Sequence, residues 1–366
     1  MLDQIPPELC ARIFDFACRD SGYTGRSLSL VSWYINATSQ PAKLQSIALA
    51  GRQQILAFAT LLARTPAHLR TTRYLFVNGQ ETEEEMEAVM DAAYEGLRKA
   101  HRERSCVLKS LSPAEMEVFD AEVTLQQEKT QKFLHDFGKE GAEAVESILR
   151  DVAPTLELLD LALNEYVAKK VMSPLSLPRL ADLTTRCGFP LHPKGIPVLA
   201  PCPSLRRLHV VEANEQWAST PRFFENGISH FAPALTHFRL SQLDQDDDAI
   251  NYLEGALGLC TPPAAPRRRV TPLPATLQLV LIKPAVAPPP HEGCSCCDDT
   301  WIYADLIHKA RQLRNKDHPT VVLLRADAQP PVRDVYFEEW MEKAGGALCE
   351  WDTSSVDMTP LEETAP

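Results

Sequence analysis

The sequence predicts an α/β protein: a short helical module at the N-terminus, then an irregular repeat array built on a mostly parallel sheet. Three observations carry that reading. From Pro154 onward a phrase of the form Pro-x-Leu-x-x-Leu-x-Leu recurs. Before it, Leu44 to Val77 runs strand, helix, strand, the pattern of a crossover between parallel strands. The opening stretch carries helical apolar stripes cut by polar turns. The boundaries that follow are a module over 1–42 and an array over 43–366. The array holds a helical insertion at about 81–150, a Pro/Arg/Cys-rich insertion at about 260–298 and a capping unit at about 299–350.

The totals restrict the class. A chain of 366 residues exceeds one ordinary core of ~100–200 residues, so a small module plus a long array fits. An apolar share of 45% excludes wholesale disorder. No apolar run approaches the ~20 residues that span a bilayer, and no secretory leader is visible. An intracellular protein, cytoplasmic and/or nuclear and without a membrane partner, is expected. The net charge of −12 argues against phosphate-backbone binding, so no nucleic-acid partner is expected either. In that compartment the ten cysteines should be reduced thiols.

The first helix is marked at its entry. Pro6 and Pro7 suit a first turn, where proline's missing N–H has no intrahelical partner. Glu8 complements the helix dipole. Leu9, Ile13 and Phe16 fall on one stripe, widened by Phe14 and Ala17. A turn over 20–25 leads to a second helical stretch striped by Leu28, Val31 and Ile35, with Leu30 and Tyr34 beside them, and Pro41 ends it. Helices this short need packing partners.

Pro6-Pro7-Glu8-Leu9, then Ile13-Phe14, then Leu28-Ser29-Leu30-Val31-Ser32 with aromatic Trp33 and Tyr34 resembles an F-box. More narrowly, Thr24 to Ile35 is similar to the F-box-like segment of a large set of mushroom-type fungal proteins. The likeness covers about forty-five residues. It departs from the family at Trp33, where a basic residue is usual, and at 41–44, where Pro-Ala-Lys-Leu replaces the usual late tryptophan. The resemblance implies a substrate-receptor subunit of a cullin-type ubiquitin ligase. It also implies that Pro6, Leu9, Ile13, Phe14, Leu28, Leu30 and Val31 bind a Skp-type adaptor.

Next, Leu44–Leu49 and Arg73–Val77 read as strands, with a helix over Gln53–Ala63 that turns Ile55, Leu56, Ala59 and Leu62 inward. Glu81–Arg104 reads as a solvated helix, acidic at its start and basic at its end. Pro113–Arg150 reads as a helical region with Met116, Phe119, Val123, Leu134, Phe137, Val145 and Leu149 as its apolar positions, broken near Gly138 and Gly141.

The recurring phrase begins at Pro154, Pro178, Pro203 and Pro233, with looser copies at Pro274 and Pro319. Early steps of about 24 to 30 residues match a leucine-rich repeat, and later ones lengthen to about 40 to 45. Its last two apolar positions alternate, as on a short strand with one buried face. One unit cannot bury that face, whereas stacked units share a core. The closing asparagine of such repeats is missing, so ordinary amphipathic strands of another α/β domain fit the same residues. If Leu159, Leu208 and Phe238 point inward, Asp160, Arg207, His209, His237 and Arg239 point outward. Arg207, His209, His237 and Arg239 are then candidates for binding an acidic or phosphorylated target segment, with a solvated strand face as the alternative.

The insertion carries Pro262-Pro263, Arg267–Arg269 and Pro288–Pro290, and after it Cys294-x-Cys296-Cys297 lacks the second pair of a zinc site. Asp246–Asp248 lacks the glycine turn and bidentate glutamate of a calcium loop. No metal or cofactor is expected. A helix over Thr300–Leu313, a strand over Val321–Leu324 and a helix over Val332–Lys343 with Trp340 resemble the terminal unit of the same fungal family, expected to cap the array's open end. No phosphate loop, dinucleotide fingerprint, His-Glu-x-x-His or nucleophile elbow occurs, so the expected protein is not an enzyme. It would hold an unknown target protein for the ligase core. The alternative is a non-enzymatic scaffold whose F-box-like helices only cap the array.

Overall fold

The computed structural model describes residues 5–107, 112–168, 170–171, 175–186, 200–211, 224, 227–243, 247–259, 270–289, 299–314, 320–329, 331, 333–347, 351 and 353–357. Among the described residues eight strands form one sheet: β1 Ser46–Ala50, β2 Tyr74–Gly79, β3 Leu158–Leu163, β4 Asp182–Arg186, β5 Arg207–Val211, β6 His237–Leu243, β7 Leu279–Pro284 and β8 Thr320–Leu323. They lie side by side in chain order, and every neighbouring pair is parallel.

The alternating leucines set this arrangement. One continuous row crosses all eight strands: Ile47, Leu75, Leu159, Leu183, Leu208, Phe238, Val280 and Val321. All but the partly buried Ile47 sit in the main core. The first leucine of each phrase (Leu156, Leu180, Leu205, Leu235, Leu277) is buried in the turn before its strand. Each turn is closed by its own main chain, as where Leu205 N–H donates to the Cys202 carbonyl at 3.1 Å. At each entry from β2 to β7 one carbonyl accepts two N–H groups at the start of the next strand. Gln45 accepts from Arg73 and Tyr74, Arg73 from Glu157 and Leu158, and Ala181 from Arg206 and Arg207. The pattern reaches back to β1 and β2, ahead of the first recognisable phrase. The closing asparagine expected to be missing does occur in the phrase that begins at Pro154: Asn164 is buried, donates to the Gly79 carbonyl at 3.4 Å and accepts from Val167 N–H at 2.9 Å.

The helices are α1 Pro7–Ala17, α2 Tyr23–Leu28, α3 Trp33–Ser39, α4 Arg52–Arg64, α5 Glu83–Val107, α6 Pro113–Val152, α7 Glu165–Ala168, α8 Ile228–Phe231, α9 Asp247–Ala256, α10 Asp299–Arg314 and α11 Arg333–Gly345. Ile55, Phe58 and Leu62 of α4, the end of α6 from Ala142 to Val152, and Leu306, Ala310 and Leu313 of α10 fill the core behind the leucine row. Upstream of that end, α6 pairs with α5: the Thr130 hydroxyl donates to the Ala93 carbonyl at 2.8 Å, and Arg104 meets Asp120 at 2.8 Å.

Two further expectations are corrected here. The helix over 113–152 is unbroken. Its glycines are there for close packing: a Cβ at Gly138 would collide with the Tyr166 carbonyl, and one at Gly141 would lie 2.7 Å from the Val167 side chain of α7. Nor does the last helix cap an end of the array. α11 crosses the second face of the sheet, where Trp340 is fully buried with Tyr74, Phe76 and Leu158. Strands β2 and β3 present large apolar groups on both faces, so that face needs a cover, and α11 supplies it.

The N-terminal module has its own small core of Cys10, Phe14, Cys18, Ile35 and Ala42. It abuts β1 directly. The Gln45 side-chain amide donates to the Asp15 carbonyl at 3.0 Å, and Ala48 N–H to the Ser21 carbonyl at 3.4 Å. Cys10, Cys18 and Cys202 are free, buried thiols.

Candidate functional site

Two surfaces stand out, one apolar and one polar. The apolar one is the outside of the N-terminal module. Its loops are locally determined. Asp20 accepts from Gly22 N–H (3.0 Å) and Thr24 N–H (2.8 Å), and Gly22 takes φ 91, which admits no side chain without strain. Ser32 caps α3 by accepting from Ile35 N–H at 3.2 Å. The Tyr34 hydroxyl donates to the Ile5 carbonyl at 2.6 Å, tying α3 to the entry of α1.

These constraints give α1 two apolar stripes of different use. Cys10, Phe14 and Cys18 turn inward. Leu9, Ile13 and Phe16 turn outward, at 51, 53 and 70% exposure. The segment between α2 and α3 exposes Leu30 and Val31, and Trp33 at the start of α3 is 84% exposed. Of the thirteen exposed large hydrophobics among the described residues, seven lie between Leu9 and Trp33.

Of the residues the sequence proposed for adaptor binding, Pro6, Leu9, Ile13, Leu30 and Val31 are exposed, as that role requires. Phe14 is not a surface residue: it is buried against Cys10, Cys18 and Ile35. Leu28 is half-buried against the same cluster. Sequence reasoning passed over Phe16 and Trp33 as surface groups, although Phe16 shares the helical stripe of Leu9 and Ile13. Burial, followed by the nearby Asp20 and Asp15 charges, pushes the Cys18 thiol up to about 11, so it is an inert core group.

The polar surface is a cavity of about 300 Å³ between the second face of the sheet and α11. His209 and Ser241, with Arg239 and Lys283, form the strand side, and Tyr336 and Glu339 the helix side. Ser241 binds both of its basic neighbours: Arg239 Nε donates to its Oγ at 2.9 Å, and His209 Nε2 lies 2.8 Å from the same oxygen. Lys283 pairs with Asp327 at 2.7 Å. The register of β6 shifts between Ser241 and Leu243, and Gln242, at φ 60, turns into the cavity. A bulge of this kind re-aims a side chain. Alongside, Arg186 is held between the rings of Phe76 (5.1 Å) and Tyr336 (4.5 Å) and bonded to Asp160 at 3.1 Å. Burial pushes the Tyr336 phenol up to about 12, with Arg186 pulling the other way.

The outward basic row expected from the alternation is therefore not an open patch. Asp160, His209 and Arg239 do point away from the leucine core, yet they are only 3, 1 and 6% exposed because α11 and its flanking segments lie over them. Arg207 is bonded to Asp182 at 2.6 Å. His237 stacks edge-on against Trp351. Its imidazole is pushed below its ordinary range by burial first and by Arg207 second, with Asp182 opposing. Lys343 of α11 seals the row, donating to the Thr184 hydroxyl at 2.8 Å beside Asp182.

Among the described residues no group of three or more His, Cys, Asp or Glu is placed to hold a metal ion. Cys294–Cys297, Arg267–Arg269 and Asp246 lie outside the described residues. No described helix is long and apolar enough to cross a membrane. No protein-family model, curated protein or solved structure matches this chain.

Proposed function

We propose that this chain is a substrate-receptor subunit of a cullin-type ubiquitin ligase. Its N-terminal module takes a Skp-type adaptor, and its array, read as degenerate leucine-rich repeats, holds a target protein. The observation that carries this is the outer stripe of the module. Leu9, Ile13, Phe16, Leu30, Val31 and Trp33 are left in water although the module's own core is already closed. Burying apolar area of that kind yields roughly 25 cal/mol per Å², and aromatic and aliphatic anchors dominate protein interfaces. The chain does no chemistry in this role. It raises the concentration of its target near the catalytic subunits, in the cytoplasm or nucleus. The polar cavity is where we place a polar group of the target.

Co-expression with a Skp-type adaptor tests the proposal. The expected result is a co-purifying complex that Ile13→Asp with Leu30→Asp abolishes. Both side chains are exposed, so the double variant should keep its fold and its melting temperature. Absence of a complex with the wild-type chain overturns it. The direct packing of the module on β1, through Gln45–Asp15 and Ala48–Ser21, favours a second reading: a scaffold whose helices only close the first edge of the array. That reading expects no adaptor complex.

A further inference from the structure

We propose that the cavity between the sheet and α11 binds one neutral, ring-sized polyol of the hexose class. It is the cavity in which the proposed function places a polar group of the target. Only the source of the ring, free or carried by that target, rests on that reading.

Charge sets the class. Among the described lining residues Arg239 and Lys283 are cationic and Asp327 and Glu339 anionic, so these charges cancel. Alongside, Arg186 and Asp160 cancel one another as a buried pair. Nor are the cations uncommitted: Lys283 is paired with Asp327 at 2.7 Å, and Arg239 Nε donates to Ser241 Oγ at 2.9 Å. A phosphate or carboxylate would bring net charge into a balanced site. To reach Lys283 it would also have to displace Asp327, leaving two anions side by side. A zwitterion needs separate poles, whereas Lys283 and Asp327 stand together.

A hydroxyl asks for something else, a donor and an acceptor within reach of the same oxygen. The lining supplies both. Asp327 and Glu339 accept, Arg239 and Lys283 donate, and Ser241, His209 and Gln242 can do either. Hydrogen bonds from neutral groups to charged partners are also the stronger ones. Tyr336, Val335 and Pro331 give the cavity an apolar side for the C–H face of a ring. A volume of about 300 Å³ is at the lower end of small-molecule sites, which suits one ring and not a chain of them.

The backbone points to the same place. Gln242, at φ 60, is the one non-glycine residue with positive φ among the described residues. A long side chain in that conformation carries strain that a glycine would not. It falls at the register shift of β6, and its side chain lines the cavity. Bulges and strained residues gather where a side chain must be aimed. A glutamine amide, with a donor and an acceptor in one plane, can pair with two neighbouring hydroxyls at once.

Saturation-transfer NMR of the full chain tests this, with glucose, galactose, mannose and N-acetylglucosamine as probes. Hydrogen bonds exchanged with water give little net energy, so binding should be millimolar. The expected result is a saturable signal from at least one of the four, which Gln242→Gly and Asp327→Ala each weaken roughly tenfold. Gln242→Gly relieves the strained φ and should melt at or above the wild-type temperature, so binding lost there is not folding lost. No signal from any of the four overturns the proposal. So does a signal that both variants keep, or one that inorganic phosphate displaces at a lower concentration than the sugar itself needs. In a second arm the sugar that binds is offered as its serine O-glycoside in a short peptide. If the glycopeptide binds, the ring is carried by a target. If it is excluded while the free sugar binds, the site stands and the placing of a target group there fails, with adaptor binding untouched.

Discussion

The N-terminal module and the array dispose of their apolar residues in opposite ways. In the module, Cys10, Phe14, Cys18, Ile35 and Ala42 form a small core, while Leu9, Ile13, Phe16, Leu30, Val31 and Trp33 face water. In the array, the leucine row is buried behind by helices, and on the other face Tyr74, Phe76 and Leu158 are roofed by Trp340. Eight strands in one sheet align their side chains in a continuous row, which helices cover on one face and α11 on part of the other. Three short helices have no such cover, and what they leave exposed is available to another chain. The contrast separates residues that make the fold from residues that face outward.

That contrast breaks most easily at its two tryptophans. Trp340→Ala should cost about 3–5 kcal/mol by chemical denaturation, the usual range for deleting a buried aromatic. Trp33→Ala should change stability by less than about 0.5 kcal/mol. Within α1 the neighbours Phe14 and Ile13 sharpen it further. Phe14→Ala should cost about 3 kcal/mol, and Ile13→Ala almost nothing, in the same assay. Gly138→Ala comes next. Alanine normally favours a helix interior, yet here its methyl would meet the Tyr166 carbonyl, so a loss of about 1–3 kcal/mol is expected.

The smallest effect is a pH dependence in the array. The His237 pKa is lowered in the fold from its ordinary 6.5, so the unfolded chain binds the proton more readily. Its contribution is therefore whole above pH 6.5 and is lost as pH falls from 6.5 to the depressed folded value. Melting curves across that window should show a shallow decline that His237→Gln removes.

Much of the fold was legible in the residues. The strands β3 to β8 announce themselves through Leu159, Leu183, Leu208, Phe238, Val280 and Val321, because alternation on a buried strand leaves few choices. What covers a strand's second face was not legible: alternation says that His209 and Arg239 point away from the leucines and is silent on α11 arriving above them. Gly138 and Gly141 read as a break because a helix-interior glycine is ordinarily a weakness, and only the proximity of α7 gives them their purpose. In α1 the sequence shows one stripe, Leu9, Ile13 and Phe16 widened by Phe14 and Ala17; that Phe14 turns inward with Cys10 and Cys18 depends on how little core three short helices can build. Phe14, expected among the adaptor-binding residues, is instead the centre of that core.

The most direct measurement is a calorimetric titration of purified Skp-type adaptor into the wild-type chain and into the Ile13→Asp/Leu30→Asp chain. If the outer stripe of the module is the docking face, the wild type binds with one adaptor per chain and the variant gives no binding heat at an unchanged melting temperature. Equal binding by both chains, or none by either, would contradict it.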